Sequence, residues 1–197
     1  MTIDVTVNKI TDWDLVHKLA LATAGLAPKN QPTDAWKHRM MRAMHSPVRA
    51  LQFVISFTVP YWVSVHLVRH NVGVQHFVQS QRTDRTGEPR DKKPQDEPVR
   101  HTMLLNAEAL VNISKRRLCF QASKETRETW EAVIAAVKGV DPIVAEACVP
   151  QCVAYGTCPE MRCCGYSTLA TWERERADYL RGEHKLREEY GHGKELL

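Results

Sequence analysis

The chain has 197 residues, of which 43% are hydrophobic and 25% charged, with a net charge of +4 and a pI near 8.8. This composition excludes a disordered chain and predicts one globular domain over residues 1–197, whose mild basicity suits an anionic small molecule better than nucleic acid. No apolar stretch is long enough to cross a bilayer and the first residues lack a signal peptide, so we expect a soluble, cytoplasmic protein that does not engage a membrane.

The first half of the chain predicts strands that alternate with helices. Apolar residues alternate from Ile3 to Val7, which predicts a strand. Residues 11–14 resemble a capping box that begins a helix, and Thr33 is the expected N-cap of a second helix. Residues 51–59 alternate cleanly between apolar and other side chains, which is the strongest strand pattern in the chain.

Beyond this strand the pattern turns helical. Pro60 suits the first turn of a helix that we expect to reach about His70. Residues 81–100 are polar and rich in proline, so they predict a long surface loop. From about His101 onward the spacing predicts helices.

The predicted C-terminal half is helical and interrupted by one cysteine-rich loop. Its clearest helix has a single apolar stripe at Trp130, Val133, Ile134 and Val137. We then expect, in order, a short helix at 141–148, a cysteine-rich loop at 148–164, a charged helix from about Leu169 to Tyr190 and a frayed tail at 191–197. The fold class that follows is α+β, with an antiparallel sheet flanked by helices.

A cluster of polar residues follows the strand at 51–59. On a helix, His66, Arg69 and His70 would share one face, because their spacing is i, i+3, i+4. Ser80 and Arg82 follow in extended chain, where alternate residues point the same way. Together these five groups could hold a phosphate or a carbonyl-rich ring. The same spacing also fits a solvated helix face that ends in a basic loop.

The stretch "VRALQFVISFTVPYWVSVHLVRHN" resembles the core of the flavin-dependent thymidylate synthases. That family carries Ser-x-x-Glu-His, a strand, a helix, and then Arg-His-Arg followed by seven residues, Ser, any residue and Arg. Ser46 stands at the first serine position, and residues 51–59 match the strand in place and length. The segments 68–70 and 80–82 match the arginine-histidine pair and the Ser-x-Arg.

A second block supports this resemblance. The family has Asn-x-Arg, a helix with Leu-Arg, and then Ala-Gln-x-Glu-Ile-Arg. The chain has "NAE" at 106–108, "RRL" at 116–118 and "ASKETR" at 122–127, with Arg117 and Arg127 on the expected positions. The resemblance covers about residues 40–138.

The chain departs from the family pattern at several positions, some of which contact flavin in the family. One extra residue also precedes Ser80, and a shifted loop there could change which pyrimidine is accepted. The replaced positions are Arg49 and Ala50 for the Glu-His pair, His66 for a glutamine, Asn71 for the second arginine of Arg-His-Arg, Glu108 for the arginine of Asn-x-Arg, and Ser123 for the glutamine of Ala-Gln.

The resemblance implies a reductive methylation at C5 of dUMP or another pyrimidine deoxynucleotide. Methylenetetrahydrofolate would donate the one-carbon unit, reduced FAD the hydride, and NADPH would reduce the flavin. The family is a homotetramer whose sites combine residues of more than one subunit. A related hydroxymethylase, acting on another pyrimidine nucleotide, fits the same two blocks.

The resemblance also implies roles for individual residues. The nucleotide would be held by His66, Arg69, Ser80, Arg82 and Arg127, of which Ser80 and Arg127 are the catalytic candidates. The flavin and folate side would be held by Arg69, His70, Asn71, Arg117 and Gln121.

The cysteine-rich loop lies outside the resemblance. Because a cytoplasmic protein keeps its cysteines reduced, the set Cys148, Cys152, Cys158 and Cys163 predicts a structural zinc site, with Cys164 to spare. An iron–sulfur cluster, free thiols or disulfides remain alternatives. Cys119 is expected to be a core residue.

Two other functions fit the same residues. The lost flavin contacts and the cysteine loop also suit a zinc-stabilised module that binds nucleotide or nucleic acid without turnover. A purely structural oligomer is a third reading, which the retained basic residues argue against.

Overall fold

The computed structural model describes residues 3–190, and from residue 182 onward the backbone alone. The predicted frayed tail, at 191–197, lies outside the described residues. Four strands form one antiparallel sheet in the order β1-β2-β4-β3. The strands are β1 (Val5–Lys9), β2 (Gln52–Pro60), β3 (Val74–Val78) and β4 (Pro98–Asn106). The α+β fold with an antiparallel sheet flanked by helices is confirmed.

Helices joined by loops lie between the strands and after the last strand. They are α1 (Trp13–Ala22), α2 (Asp34–Arg42), α3 (Tyr61–Leu67), α4 (Thr83–Thr86), α5 (Ala107–Arg117), α6 (Lys124–Val140), α7 (Pro142–Ala147), α8 (Gln151–Tyr155) and α9 (Ala170–Tyr190). No helix in this described part is long and apolar enough to cross a membrane.

The core lies on one face of the two central strands. Strands β2 and β4 pair along nine residues, with Ile55 opposite Met103, and alternate residues of both strands are buried. Helix α6 covers this face. Its stripe is confirmed, since Trp130 is fully buried and its indole donates to Ser114 Oγ at 2.9 Å.

Asp141 joins the sheet to three helices from a buried position at the end of α6. Its carboxylate accepts from Trp13 Nε1 at 2.9 Å and pairs with Lys9 Nζ at 2.9 Å. It also accepts from the backbone N–H of Val144, which caps α7. One carboxylate therefore satisfies partners from β1, α1 and α7.

Three predictions of local structure are wrong. Residues 98–106 form β4 rather than the start of a helix, because the buried His101 made an alternating strand look irregular. Helix α3 ends at Leu67 rather than at about His70, and β3 follows a turn in which Gly73 has φ +72°. Thr11 does not cap α1, because its hydroxyl bonds the backbone of Ala50 and Gln52.

Other predictions hold. Thr33 caps α2 by accepting from the N–H of Trp36 at 3.2 Å. Residues 81–100 are largely exposed, and their only regular structure is α4, one short helical turn at 90–92 and the first residues of β4.

Candidate functional site

The two sequence blocks meet in space around the start of α5. The N–H of Asn106 donates to the carbonyl of Gly73 at 3.2 Å, and Asn106 Oδ1 caps α5 through the N–H of Ala109. A Cβ on Gly73 would lie 2.8 Å from the Asn106 side-chain nitrogen. The turn before β3 therefore needs glycine both for its positive φ and for this close approach.

A second contact joins the blocks through two of the departures from the family pattern. Arg49 donates to Glu108 through Nε at 2.6 Å and through Nη2 at 3.1 Å, a bidentate pair. The resemblance puts glutamate at position 49 and arginine at position 108. The two charges have exchanged places relative to that pattern, and in this chain they form an ion pair between the blocks.

Arg117, at the end of α5, is the centre of the site. Its Nε donates to His70 Nε2 at 2.8 Å, and its Nη2 donates to the His66 carbonyl at 2.6 Å. Neither acceptor carries a negative charge. Burial, and next the charge of the neighbouring Arg69, lower the pKa of Arg117.

No carboxylate in the described part of the chain pairs with Arg69 or Arg117. Two neighbouring guanidinium groups without a counter-ion repel each other, and a bound anion would relieve that repulsion. Arginine is the residue best suited to hold a phosphate through two parallel hydrogen bonds. The pair is therefore chemically suited to bind an anion.

Hydrogen bonds connect three histidines behind this pair. His76 Nε2 donates to the His70 carbonyl at 2.7 Å, because a carbonyl can only accept. His76 Nδ1 lies 2.9 Å from His101 Nε2. His70 accepts from Arg117 at Nε2, so the neutral ring carries its proton on Nδ1, which remains as a donor.

The pKa values of His70 and His101 are both lowered, which keeps these two rings neutral. Burial, and next the charge of Arg117, lower the pKa of His70 to about 4. Burial, and next His76, lower the pKa of His101 to about 4. The only free nitrogen of His101 is Nδ1, which is buried without a partner, so protonation there would leave an unsatisfied charge.

We expect the folded protein to lose stability as the pH falls from 6.5 towards 4. In that window the unfolded chain binds protons at histidine while folded His101 and His70 remain neutral, so acid favours unfolding. Above pH 6.5 both states are neutral at these residues, and they make no contribution to the pH dependence of stability. His101 alone accounts for up to about 1.4 kcal/mol per pH unit. Urea unfolding at pH 7.5, 6.0 and 5.0 measures the slope, and His101→Gln should flatten it. If the free energy of unfolding of His101→Gln depends on pH as steeply as that of the wild type, His101 is not the buried neutral histidine responsible for the slope.

His66 lies on the last turn of α3 and faces α6. Its Nδ1 is 3.2 Å from Thr126 Oγ1, whose own neighbour is the capping Ser123 at 2.7 Å. Burial, and next the charges of Arg117 and Arg69, lower the pKa of His66. His66 is thus neutral and held between two helices, beside the arginine pair.

Ser80 and Arg82 do not join this group within one chain. They follow β3, whereas Arg69 and His70 precede it, and Ser80 lies four residues beyond His76, roughly 13 Å along an extended strand. Arg82 forms a bidentate pair with Asp84 at 2.9 Å and is exposed, and Ser80 Oγ accepts from the N–H of Arg82. An anion at Arg82 would compete with Asp84.

The remaining candidates lie around the turn between α5 and α6. Arg127 covers the ring of Phe120 at 4.4 Å and pairs with Glu131 at 3.5 Å. The Gln121 amide donates to the Arg162 carbonyl in the cysteine-rich loop, so it is directed away from the arginine pair. Asn71 is exposed in the turn before β3.

The structure does not support zinc at the predicted four cysteines. Cys148 is buried in the main core, where burial raises the pKa of its thiol to about 12, and a thiol that stays protonated is a poor ligand. Within the residues that the structure describes, no group of three or more His, Cys, Asp or Glu side chains is placed to hold a metal ion.

His76 and His101 were missed as site residues by sequence reasoning. His76 holds the His70 carbonyl, and His101 in turn holds His76. Alternation of residues over 74–78 and 99–105 could have placed both histidines on the inward face of two strands. The alternating pattern was hard to recognise because the histidines are themselves polar residues at inward positions.

Among solved structures, the fold is similar to the crystal structure of a UMP/dUMP methylase, PolB, from Streptomyces cacaoi bound with 5-Br dUMP. The TM-score is 0.54 and the identity 15%, over 73% of this chain and 94% of that chain. No protein-family model and no curated protein matches the sequence. At this identity the likeness establishes a shared fold.

Proposed function

We propose that this protein binds a uracil nucleotide and methylates its base at C5. The single observation that carries the proposal is the couple Arg69 and Arg117, which has no carboxylate partner in the described chain and lies where the end of α5 meets the residues that follow α3. The fold likeness to a UMP/dUMP methylase supports it, and so does the resemblance of both blocks to flavin-dependent thymidylate synthases.

The phosphate is the part of the substrate that this couple fits best. Two adjacent guanidinium groups with no carboxylate partner gain most from a dianion, since it satisfies their donors and removes their mutual repulsion. The Nδ1–H of His70 is a neutral donor beside them, suited to a carbonyl oxygen of the base. A neutral donor there binds a carbonyl without adding a third positive charge.

The proposal includes FAD as redox cofactor, NADPH as its reductant and methylenetetrahydrofolate as one-carbon donor. Of the residues expected at the flavin, Asn71 keeps an exposed amide that could donate to the cofactor, whereas Arg69 and Arg117 would be engaged by the substrate phosphate. Gln121 would contribute only after leaving the Arg162 carbonyl. When bound, reduced FAD supplies the hydride for the reductive step. The protein's own part is to hold the anion, keep His70 neutral and orient the base.

We also propose a homotetramer in which another subunit completes the site. Within one chain, Ser80 and Arg82 lie beyond the far end of β3 from Arg69, and β3 is an edge strand. Val72 and Phe77 are 82% and 58% exposed along this edge, which suits burial against another copy. Sedimentation equilibrium should give a tetramer, and a monomer at micromolar concentration contradicts this part.

The experiment that tests the function is release of the C5 proton from tritiated nucleotide. Purified protein is incubated with dUMP, UMP or dCMP together with FAD, NADPH and methylenetetrahydrofolate. We expect tritium release from a uracil nucleotide that requires the folate, with dTMP or its ribose analogue as product. Tight nucleotide binding without any release would instead indicate a non-catalytic binding module, and neither binding nor release would overturn the proposal.

A further inference from the structure

Two thiols of the cysteine-rich loop lie side by side at the surface of the protein. Five of the six cysteines line one small cavity of about 10 Å³, where this loop folds back against the end of α5. Within this group the thiols of Cys158 and Cys163 share a hydrogen bond. Cys163 is exposed and Cys158 is half-buried, so a dissolved oxidant can reach the pair.

The contacts around Cys163 favour its thiolate form. The N–H of Gly165 donates to Cys163 Sγ at 3.4 Å, and Ser167 Oγ lies 3.7 Å from the same sulfur. The Gly165 amide, and next the Ser167 hydroxyl and the Cys158 thiol, lower the pKa of Cys163. Because the thiolate is the form that attacks a disulfide, Cys163 is the nucleophile of the pair.

Cys158 has the character of the second, resolving thiol. The backbone N–H of Glu160 alone would lower the pKa of Cys158, but desolvation and the hydrogen bond with Cys163 outweigh it and raise that pKa. Cys158 therefore stays protonated while Cys163 reacts. Cys164 is a poorer partner, because the Cα atoms of adjacent residues are about 3.8 Å apart and an unstrained disulfide needs at least roughly 4.4 Å.

We propose that Cys163 and Cys158 form a reversible disulfide by exchange with a low-molecular-weight disulfide such as oxidised glutathione. The Cys163 thiolate attacks one sulfur of the small disulfide, and the other half leaves as a thiolate that takes a proton from solvent. Cys158 then loses its proton to solvent and attacks Cys163 Sγ, which releases the second half as a thiolate that is protonated in turn. Two protein thiols are oxidised, and one small disulfide is reduced to two thiols.

The disulfide would close the part of the loop that contacts the end of α5. Only four residues lie between the two cysteines. Among them, Glu160 accepts from Arg116 Nη1 at 2.5 Å, and the Arg162 carbonyl accepts from the Gln121 amide. Arg116 and Gln121 lie immediately before and shortly after Arg117, the centre of the candidate site. Oxidation thus constrains a segment that touches this end of α5, whichever reaction the protein catalyses.

The test is peptide mapping of the purified full-length chain after incubation with oxidised glutathione under native conditions. The intact mass should fall by two hydrogen atoms and be restored by dithiothreitol. Trypsin cleaves after Arg162, so Cys158 and Cys163 lie on different peptides, 139–162 and 163–174, which a disulfide would join. Fragmentation of the joined peptides should assign the bond to Cys158 and Cys163.

Two variants test the order of attack. Cys158→Ser should accumulate glutathione on Cys163, because the thiol that resolves the mixed disulfide is missing. Cys164→Ser is the matched control, since it removes an exposed thiol directly beside the pair. It should form the same disulfide as the wild type.

Several results would overturn the proposal. Free thiols at Cys158 and Cys163 after the incubation would do so, as would a bond from Cys163 to any other cysteine or glutathione that stays on Cys163 of the wild type. Glutathione on Cys164 rather than Cys163 in Cys158→Ser, or loss of the disulfide in Cys164→Ser, would refute the assigned nucleophile. Mapping of the wild type needs no substitution, so it decides the matter even where a variant fails to fold.

Discussion

Replacement of Arg117 by glutamine is expected to weaken dUMP binding by about 10- to 100-fold. A charge-assisted hydrogen bond contributes about 1.5–3 kcal/mol, and the loss of Arg117 removes both the charge and the fork of donors. Its bonds to His70 and the His66 carbonyl are lost as well, so the histidine donor becomes less well oriented. Isothermal titration calorimetry measures the change.

Arg116 provides the control for this variant. It precedes Arg117 on α5, is exposed and pairs with Glu160 rather than with the histidines. Arg116→Gln changes the net charge by the same amount and should leave affinity within a few-fold. Arg117→Lys should give an intermediate loss, because lysine keeps the charge without the fork. Equal losses in Arg116→Gln and Arg117→Gln would point to a general electrostatic effect and against a specific site.

Replacement of Asp141 by alanine is expected to lower the free energy of unfolding by about 3 kcal/mol or more. The substitution leaves Lys9 without its counter-ion, the buried Trp13 indole without an acceptor, and α7 without its cap. Urea unfolding monitored by tryptophan fluorescence and by circular dichroism measures the change.

Asp34 offers the matched comparison. Its ion pair with Lys37 on α2 has a similar distance, 2.8 Å, but the carboxylate is exposed. Asp34→Ala should cost less than about 1 kcal/mol, as exposed pairs do. Asp141→Asn should also cost more than Asp34→Ala, since its single amide oxygen can keep either the α7 cap or the bond from the indole, and its NH2 group then faces the other donor. Similar losses for the two alanine variants would mean that Asp141 does not hold these elements together.

Much of the fold follows from the pattern of residues along the chain. Strand β2 was predicted because its residues pair with neighbours on both sides, so its inward positions are uniformly apolar. Strand β3 is an edge strand with a half-exposed pattern, and β4 carries the buried His101, so neither has a clean alternation. The pairing of β4 with β2, and of β3 with β4, determines their structure more than local residue preference does.

Some contacts of the candidate site could be predicted from the sequence, and others are visible only in the structure. Arg117 and His70 were placed by the resemblance, and their contact is observed. The exchange of charge between Arg49 and Glu108 looked like two losses in the sequence, and only the structure shows that the two side chains pair with each other. Cys148 lies in the main core, apart from the other cysteines of the predicted metal set, because linear spacing does not indicate where a loop folds back.

The measurement that tests the central claim most directly compares the affinity of the wild-type protein for dUMP and for deoxyuridine. The account predicts saturable dUMP binding that weakens at least tenfold without the phosphate, and inorganic phosphate should compete. Equal affinity for the nucleotide and the nucleoside, or no binding of either, would contradict an anion site at Arg69 and Arg117.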